Sequence, residues 1–251
     1  MRLRKLGWAA GLLLASAATQ GQPASAADAL SAAEREQVEQ LVHDYIMKNP
    51  RVMLESLHAY DAQQQQAAQK DSQTAVAANL AKIERDPSSP VAGNPKGDVT
   101  VVEFFDYRCG YCRKVVSAVR ELLKTDDNVR FVFKELPILG PDSVTASRLA
   151  LAAWTIAPEK YMAFHQALMD SRGDLTEARV LEIATKTGID AGKLKAASAS
   201  PDVTAAIEKN NELAQSLRIQ GTPAFIVGGK LVPGAVDVET LRELVKAARS
   251  G

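Results

Sequence analysis

The spacing of apolar positions along the chain predicts a mixed α/β protein. Val99 to Phe105 is a nearly continuous run of β-branched and aromatic residues, which is typical of a buried central strand. Alternating apolar positions predict a second strand over Val129 to Leu136, and helical spacing predicts a helix over Val115 to Lys124 between them. Two short apolar runs, 224–227 and 230–232, flank Gly228-Gly229 and predict a hairpin.

The segment between the second strand and the hairpin keeps a helical period throughout. Its predicted helices are Ser143–Ile156, Glu159–Met169, Thr176–Thr187, a short one near Lys193, and Pro201–Leu217. A closing helix follows Asp237. The order strand, helix, strand, helical block, hairpin and helix predicts an α/β fold with a helical insertion at about 141–217.

The region before residue 91 has a different pattern. Ser31 to Glu34 has the spacing of a capping box and precedes apolar residues at helical spacing, and Asn49-Pro50 starts a second predicted helix. Beyond Tyr60 the chain is rich in Gln, Ala and Asn to about Arg85, and its polar residues do not support a long coiled coil. The apolar stripe therefore needs a partner, and we expect another copy of the chain; the alternative is packing on its own domain. Residues 27–90 are interpreted as a helical oligomerisation segment and linker.

The charge balance excludes some classes of partner. The 251 residues contain 30 Lys+Arg and 30 Asp+Glu, so the formal net charge is zero, and no basic cluster lies beyond the extreme N-terminus. We therefore expect no nucleic-acid partner.

The first residues have the pattern of a signal peptide. Arg2, Arg4 and Lys5 precede an apolar stretch, and Ala24-Ser25-Ala26 offers the small residues that a signal peptidase reads. We expect residues 1–26 to be removed; the alternative is an uncleaved membrane anchor. Export would place the protein where disulfides form and persist.

The candidate chemistry lies in Cys109-Gly110-Tyr111-Cys112, which follows the buried strand and opens a helix. The free N–H groups and the positive dipole end of a helix entrance would stabilise a thiolate at Cys109. We expect Cys109 to be the exposed attacking thiol and Cys112, one turn further, to be the more buried resolving thiol. Three other interpretations remain open: a structural disulfide, a zinc half-site and a Cu(I) thiolate pair.

The sequence resembles the DsbA-like thiol–disulfide oxidoreductases of the thioredoxin superfamily. The resemblance lies in Val101 to Cys112, in the helical insertion and in Gly221-Thr222-Pro223 before a strand. It implies a thioredoxin fold over residues 91–251 with an inserted helical domain. It also implies a cis peptide bond at Pro223, beside the cysteines, with Thr222 main-chain groups free to pair with an extended substrate.

Further residues have expected roles beside this resemblance. Glu103 lies six residues before Cys109, where the superfamily has a buried acid that relays a proton to or from Cys112; the alternative is an ordinary carboxylate at the sheet edge. Lys134, on the neighbouring strand, is expected to pair with Glu103. Tyr111 is expected to tune the redox potential or to contact substrate, whereas His165 is expected to be a surface or packing residue.

Within the superfamily, the sequence is similar to the suppressor-of-copper-sensitivity C (ScsC) proteins. The shared features are Cys-Gly-Tyr-Cys, the stretch from Pro137 to Pro141 and the helical N-terminal extension. The resemblance implies a periplasmic disulfide isomerase or reductase that needs no cofactor, forms a homotrimer, acts on misoxidised client proteins and is kept reduced by a membrane thiol reductase. A monomeric DsbA-type oxidase and a periplasmic copper-binding protein with Cu(I) on the cysteine pair remain alternatives.

Overall fold

The computed structural model describes residues 30–250, and the proposed signal peptide lies outside the described residues. Two compact units are present, one ending at Ala62 and one beginning at Gln63.

The first unit is built from helices with exposed side chains. Helix α1 (Ala32–Lys48) begins with the predicted capping box: Ser31 Oγ accepts from the Glu34 N–H at 3.4 Å, and the Glu34 carboxylate accepts from the Ser31 N–H at 2.8 Å. Helix α2 (Arg51–Glu84) follows directly, and its residues up to Ala62 belong to this unit. No residue of α1 is buried. The apolar stripe of this unit is therefore exposed to solvent in the single chain, and Leu41 is 69% exposed.

The second unit is organised around a five-stranded sheet. Its strands are β1 (Val91–Gly93), β2 (Val99–Phe105), β3 (Val129–Glu135), β4 (Ala224–Val227) and β5 (Lys230–Pro233). The strand order is β1-β3-β2-β4-β5; β2 and β3 are parallel, and the other neighbouring pairs are antiparallel. Helix α3 (Gly110–Thr125) joins β2 to β3, and helix α9 (Val238–Ser250) follows the hairpin. This is the expected thioredoxin fold with its helical insertion.

The insertion lies between β3 and β4. It consists of α4 (Pro141–Ile156), a short 3₁₀ turn (Pro158–Lys160), α5 (Tyr161–Asp170), α6 (Glu177–Lys186), α7 (Ala191–Ser198) and α8 (Pro201–Ser216). Ser200 caps α8, and Thr176, expected as the first residue of its helix, is the N-cap of α6.

Both faces of the sheet are covered, which explains why β2 is almost entirely apolar. One face packs against α3, α5 and α9 and carries Val101, Phe105 and Phe133. The opposite face carries Val102, Phe104 and Val132, and it packs against the last turns of α2 and the end of α8.

Two details refine the predictions. Strand β1 lies at the start of the region interpreted as the thioredoxin domain, and the sequence does not predict it because its three residues carry no readable period; Val91 pairs with Val132. The hairpin turn is formed by Gly228 and Gly229, whose φ angles of +55° and +76° favour glycine. At Gly228 a Cβ atom would also lie 2.6 Å from the Cβ of Ala248 on α9.

No helix within residues 30–250 combines the length and the apolar content needed to cross a bilayer.

Candidate active site

Cys109 follows strand β2 and lies directly before the first turn of α3. Cys109 is the N-cap residue, with extended backbone angles, and its side chain makes no capping hydrogen bond to the helix. Its own N–H donates to the Asp106 carbonyl at 3.0 Å, and its carbonyl accepts from the Arg113 N–H at 3.1 Å. The Cys109 sulfur is therefore attached at the positive end of the α3 dipole.

The loop before β4 lies against this sulfur. The Thr222–Pro223 peptide bond is cis, as the resemblance implies, and Cys109 Sγ donates to the Thr222 carbonyl oxygen at 3.1 Å. Cys109 is only 7% exposed. Cys109 is therefore buried rather than exposed as expected, and the carbonyl of Thr222, which is distant in sequence, contacts its sulfur.

Cys112 lies one turn further along α3 and is fully buried, as expected. Both cysteines are free thiols. Burial raises the pKa of Cys112 well above its ordinary value, and the negative charge of Glu103 raises that pKa further. Cys112 is thus held as a neutral thiol until a base accepts its proton.

Glu103 is buried in β2 beneath the cysteine pair. It lies opposite Phe133 of β3 and Phe225 of β4, so it is in the middle of the sheet rather than at the edge. Burial raises the pKa of Glu103 to about 8, and the negative charge of Cys109 is the second cause. Glu103 also lines a cavity of about 290 Å³ between α3 and α5.

The expected pair between Glu103 and Lys134 is wrong. Lys134 lies opposite Phe104, the residue after Glu103, and neighbouring residues of a strand point to opposite faces of the sheet. Lys134 Nζ instead donates to the Lys82 carbonyl at 2.9 Å and to the Asp86 carboxylate at 3.2 Å.

Asp106, which no sequence pattern singles out, organises the loop beside the active site. This buried carboxylate accepts hydrogen bonds from four groups within 2.7–3.0 Å: the N–H groups of Arg108, Ile138 and Leu139, and the hydroxyl of Ser143. No local motif signals this role, because most of the partners lie more than 30 residues further along the chain.

Glu135 forms a second buried network that the sequence did not reveal. Its carboxyl oxygens accept from the hydroxyls of Ser147 at 2.7 Å, Tyr107 at 3.3 Å and Tyr161 at 3.5 Å. Burial raises the pKa of Glu135 well above its ordinary value. His165, expected to be a surface or packing residue, is buried beside this network, with Nδ1 3.0 Å from the Tyr107 hydroxyl.

Exposed apolar side chains lie between the two cysteines and on the loop that Asp106 holds. Tyr111, between the two cysteines, is 63% exposed, and Ile138 and Leu139 are also exposed. Arg108 Nη1 donates to the Leu139 carbonyl at 2.9 Å, which ties this loop to the residue before Cys109.

Across the described residues, no three His, Cys, Asp or Glu side chains are grouped so that they could hold a metal ion. Within residues 30–250, a zinc ion at the cysteine pair would therefore have no further His, Cys, Asp or Glu side chains grouped around it.

Two family models match the chain. The model of the DSBA-like thioredoxin domain matches residues 100–246, and the model of the copper resistance protein ScsC N-terminal domain matches residues 34–67.

Solved structures resemble the described fold. A thioredoxin-like oxidoreductase from Silicibacter pomeroyi DSS-3 is 47% identical, with a TM-score of 0.66; the match covers 68% of this chain and 98% of that one. Proteus mirabilis ScsC in a transitional conformation is 29% identical, with a TM-score of 0.66, over 88% of this chain and 99% of that one.

Among curated proteins, the Na⁺/H⁺ antiporter NhaA 1 of Salinispora arenicola is 31% identical over 64% of this chain. The chain covers only 25% of the length of that protein.

Proposed function

Because this chain belongs to the DsbA-like thioredoxin family, whose members are thiol–disulfide oxidoreductases, we propose that it is a periplasmic protein disulfide isomerase and reductase. One observation carries the proposal: a reactive-site cysteine at a helix N-terminus lies beside the Thr222 carbonyl, while its partner cysteine is buried above an acid of raised pKa. The leader-like residues 1–26 support export to the periplasm.

The reaction begins with Cys109. Its thiolate attacks one sulfur of a client disulfide, a mixed disulfide forms, and the other client sulfur leaves as a thiolate. The Thr222 main chain supports this step by pairing with an extended client segment. Tyr111, Ile138 and Leu139 favour clients with apolar residues beside the wrong disulfide.

Two routes resolve the mixed disulfide. In isomerisation, a different client thiolate attacks the client sulfur, the client gains a new disulfide, and Cys109 leaves as a thiolate. In net reduction, Cys112 attacks the sulfur of Cys109, the client leaves as a dithiol, and two electrons have passed from the cysteine pair to the client. A membrane thiol reductase is then required to reduce the Cys109–Cys112 disulfide.

Glu103 supplies the base for the second route. The negative charge of Cys109 helps to raise the pKa of Glu103, and this charge disappears once Cys109 enters the mixed disulfide. Burial, the larger cause, still holds the pKa of Glu103 above its ordinary value, but loss of this charge lowers that pKa and eases transfer of the Cys112 proton to the Glu103 carboxylate.

The first unit supports a homotrimer. Its exposed apolar side chains lie in the segment that the ScsC N-terminal model matches, and a single chain leaves them without a partner. Three active sites held together would raise the effective concentration of thiols around one client.

The proposal is tested with a ribonuclease whose disulfides are scrambled. The reduced protein should restore ribonuclease activity, and Cys109→Ser should abolish this restoration. Cys112→Ala should retain part of the isomerisation, lose net reduction of insulin and accumulate mixed disulfides with the client.

Trapping the thiols by alkylation in cells separates isomerase from oxidase. A mostly reduced cysteine pair is expected. A mostly oxidised pair, together with oxidation of a reduced client and no recovery of scrambled ribonuclease, would establish a DsbA-type oxidase instead.

A further inference from the structure

Tyr107 lies in the turn that joins β2 to α3, two positions before Cys109, and it is fully buried. Its hydroxyl group donates to a Glu135 carboxyl oxygen at 3.3 Å and lies 3.0 Å from Nδ1 of His165. Its carbonyl oxygen accepts from Nε of Arg113 at 3.0 Å. The side chain of Tyr107 is therefore held by the end of β3 and by the insertion, and its main chain is held by α3.

The hydrogen bonds of the Tyr107 hydroxyl restrict the turn before Cys109. The residues that bind the hydroxyl, Glu135 and His165, are themselves buried. A hydrogen bond in such a low-dielectric site is strong, and no bulk water is at hand to replace it when it breaks. A shift of the Tyr107 main chain that pulled the hydroxyl away from both partners would therefore be costly.

The sulfur of Cys109 lies at the other end of this turn. The Cys109 N–H donates to the Asp106 carbonyl at 3.0 Å, and the sulfur lies 3.1 Å from the Thr222 carbonyl oxygen. Only Arg108 separates Tyr107 from Cys109, so a movement of Tyr107 would move the sulfur relative to the Thr222 main chain. A displacement of about 1 Å at the reacting atoms can cost about 100-fold in rate.

We infer that Tyr107 is a positioning residue for thiol exchange: its hydroxyl, bound by Glu135 and His165, fixes the direction in which the Cys109 sulfur meets a client disulfide lying along the Thr222 main chain. The inference rests on the proposed function, because it concerns the attack of Cys109 on a client. Tyr107 is buried, so it acts through Cys109 rather than on the client itself. The inserted helical domain thereby takes part in the reaction, since His165 belongs to α5.

The experiment isolates the first attack by using the full chain with Cys112→Ala, so that no resolving thiol competes. Two mixed disulfides of thionitrobenzoate serve as probes: one joins it to the single cysteine of an extended apolar peptide, and the other joins it to mercaptoethanol. In each probe the Cys109 thiolate attacks the sulfur of the peptide or of mercaptoethanol, a new disulfide forms there, and the coloured thionitrobenzoate leaves with the electron pair. Only the peptide has a main chain that can pair with Thr222.

Tyr107→Phe keeps the aromatic ring and removes the hydroxyl. With the peptide, the rate at saturation should fall by at least about 10-fold, because the sulfur is no longer held in line with the bound disulfide. The half-saturating peptide concentration should stay within about 2-fold, because the Thr222 main chain is unchanged. With mercaptoethanol the rate should fall by less than about 2-fold, because an unbound disulfide approaches the sulfur from any open direction. Partial unfolding would instead slow both probes equally.

Glu135 provides a second variant together with its own rescue. Burial raises the pKa of Glu135 well above its ordinary value, which favours the neutral acid, and Gln has the shape of that neutral acid. Glu135→Gln should therefore keep the peptide rate within about 2-fold of the parent, whereas Glu135→Leu, which offers no acceptor, should lower it as Tyr107→Phe does. Tyr161→Phe is the matched control, because it removes another buried hydroxyl that donates to Glu135, at 3.5 Å, but from α5 and outside the turn. It should leave the ratio of the two rates unchanged.

The two probes separate failure of the inference from failure of the proposed function. Equal slowing of both probes by Tyr107→Phe, or an unchanged rate with the peptide, would overturn the positioning role and leave the proposed function intact. A Cys112→Ala parent that reacts with neither probe would refute the proposed function, and the inference with it.

Discussion

The carbonyl oxygen of Thr222 lies 3.1 Å from the sulfur of Cys109, although 113 positions separate the two residues. The contact brings a main-chain group at the start of β4 to the mouth of α3. An extended client that pairs with this main chain would present its disulfide to Cys109 without a further search.

Glu103 should make stability depend on pH. Its pKa is about 8 in the folded protein against an ordinary value of 4.5, so the folded state holds more protons than the unfolded state between these values. Stability therefore falls as pH rises from 4.5 to 8. The free energy of unfolding of Glu103→Gln minus that of wild type should increase by roughly 3–5 kcal/mol as pH rises from 5 to 8.5, measured in urea. A difference between the two proteins that stays constant with pH would contradict this. In a Cys109→Ser background this pH-dependent gain of Glu103→Gln should shrink, because the charge of Cys109 no longer raises the pKa of Glu103.

Asp106 should be essential for the loop beside the active site. Asp106→Asn keeps the shape of the side chain but replaces one acceptor oxygen by an NH₂ group, which then faces donors of the loop or of Ser143. A loss of about 3 kcal/mol in the free energy of unfolding is expected, together with slower insulin reduction. Asp127→Asn is the control, because Asp127 is exposed, and it should change stability by less than about 0.5 kcal/mol. Equal effects of the two variants would show that Asp106 does not hold the loop.

The parts of this protein that could be predicted from sequence are those encoded locally. Strand β2 and the cysteine motif occupy consecutive residues, and the insertion follows from helical periods. The partner of Lys134 could not be predicted, because one step of strand register decides which face of the sheet it points to. The burial of Cys109 and the Glu135 network also depend on residues brought together only by the completed fold.

The apolar stripe of the first unit should hold the oligomer together. Leu41→Asp with Leu57→Asp places charges among exposed apolar side chains, so association that buries them would become unfavourable. Light scattering should give the mass of a trimer for the wild type and of a monomer for the variant. Recovery of scrambled ribonuclease should fall while insulin reduction persists. Gln65→Asp with Gln66→Asp adds the same charge at exposed polar positions and should leave the mass unchanged; a monomeric wild type would refute the trimer.

The pair of Lys134 and Asp86 should behave as a buried ion pair in a mutant cycle. Their charged atoms are 3.2 Å apart, and the Lys134 side chain is almost completely buried. Asp86→Asn leaves the ammonium group without its counter-charge, which should cost about 3 kcal/mol at pH 6 in urea unfolding. Burial already lowers the pKa of Lys134, and loss of Asp86 removes the main opposing influence. The lysine should therefore lose its proton more readily, so the cost of Asp86→Asn should shrink at pH 9.

Adding Lys134→Met to Asp86→Asn removes the unpaired charge and should restore most of the lost stability, because a flexible apolar side chain of similar length fills the space. If the two substitutions were instead additive and independent of pH, the two charges would contribute separately, and the ion pair would not be the interaction that holds Lys134 in place.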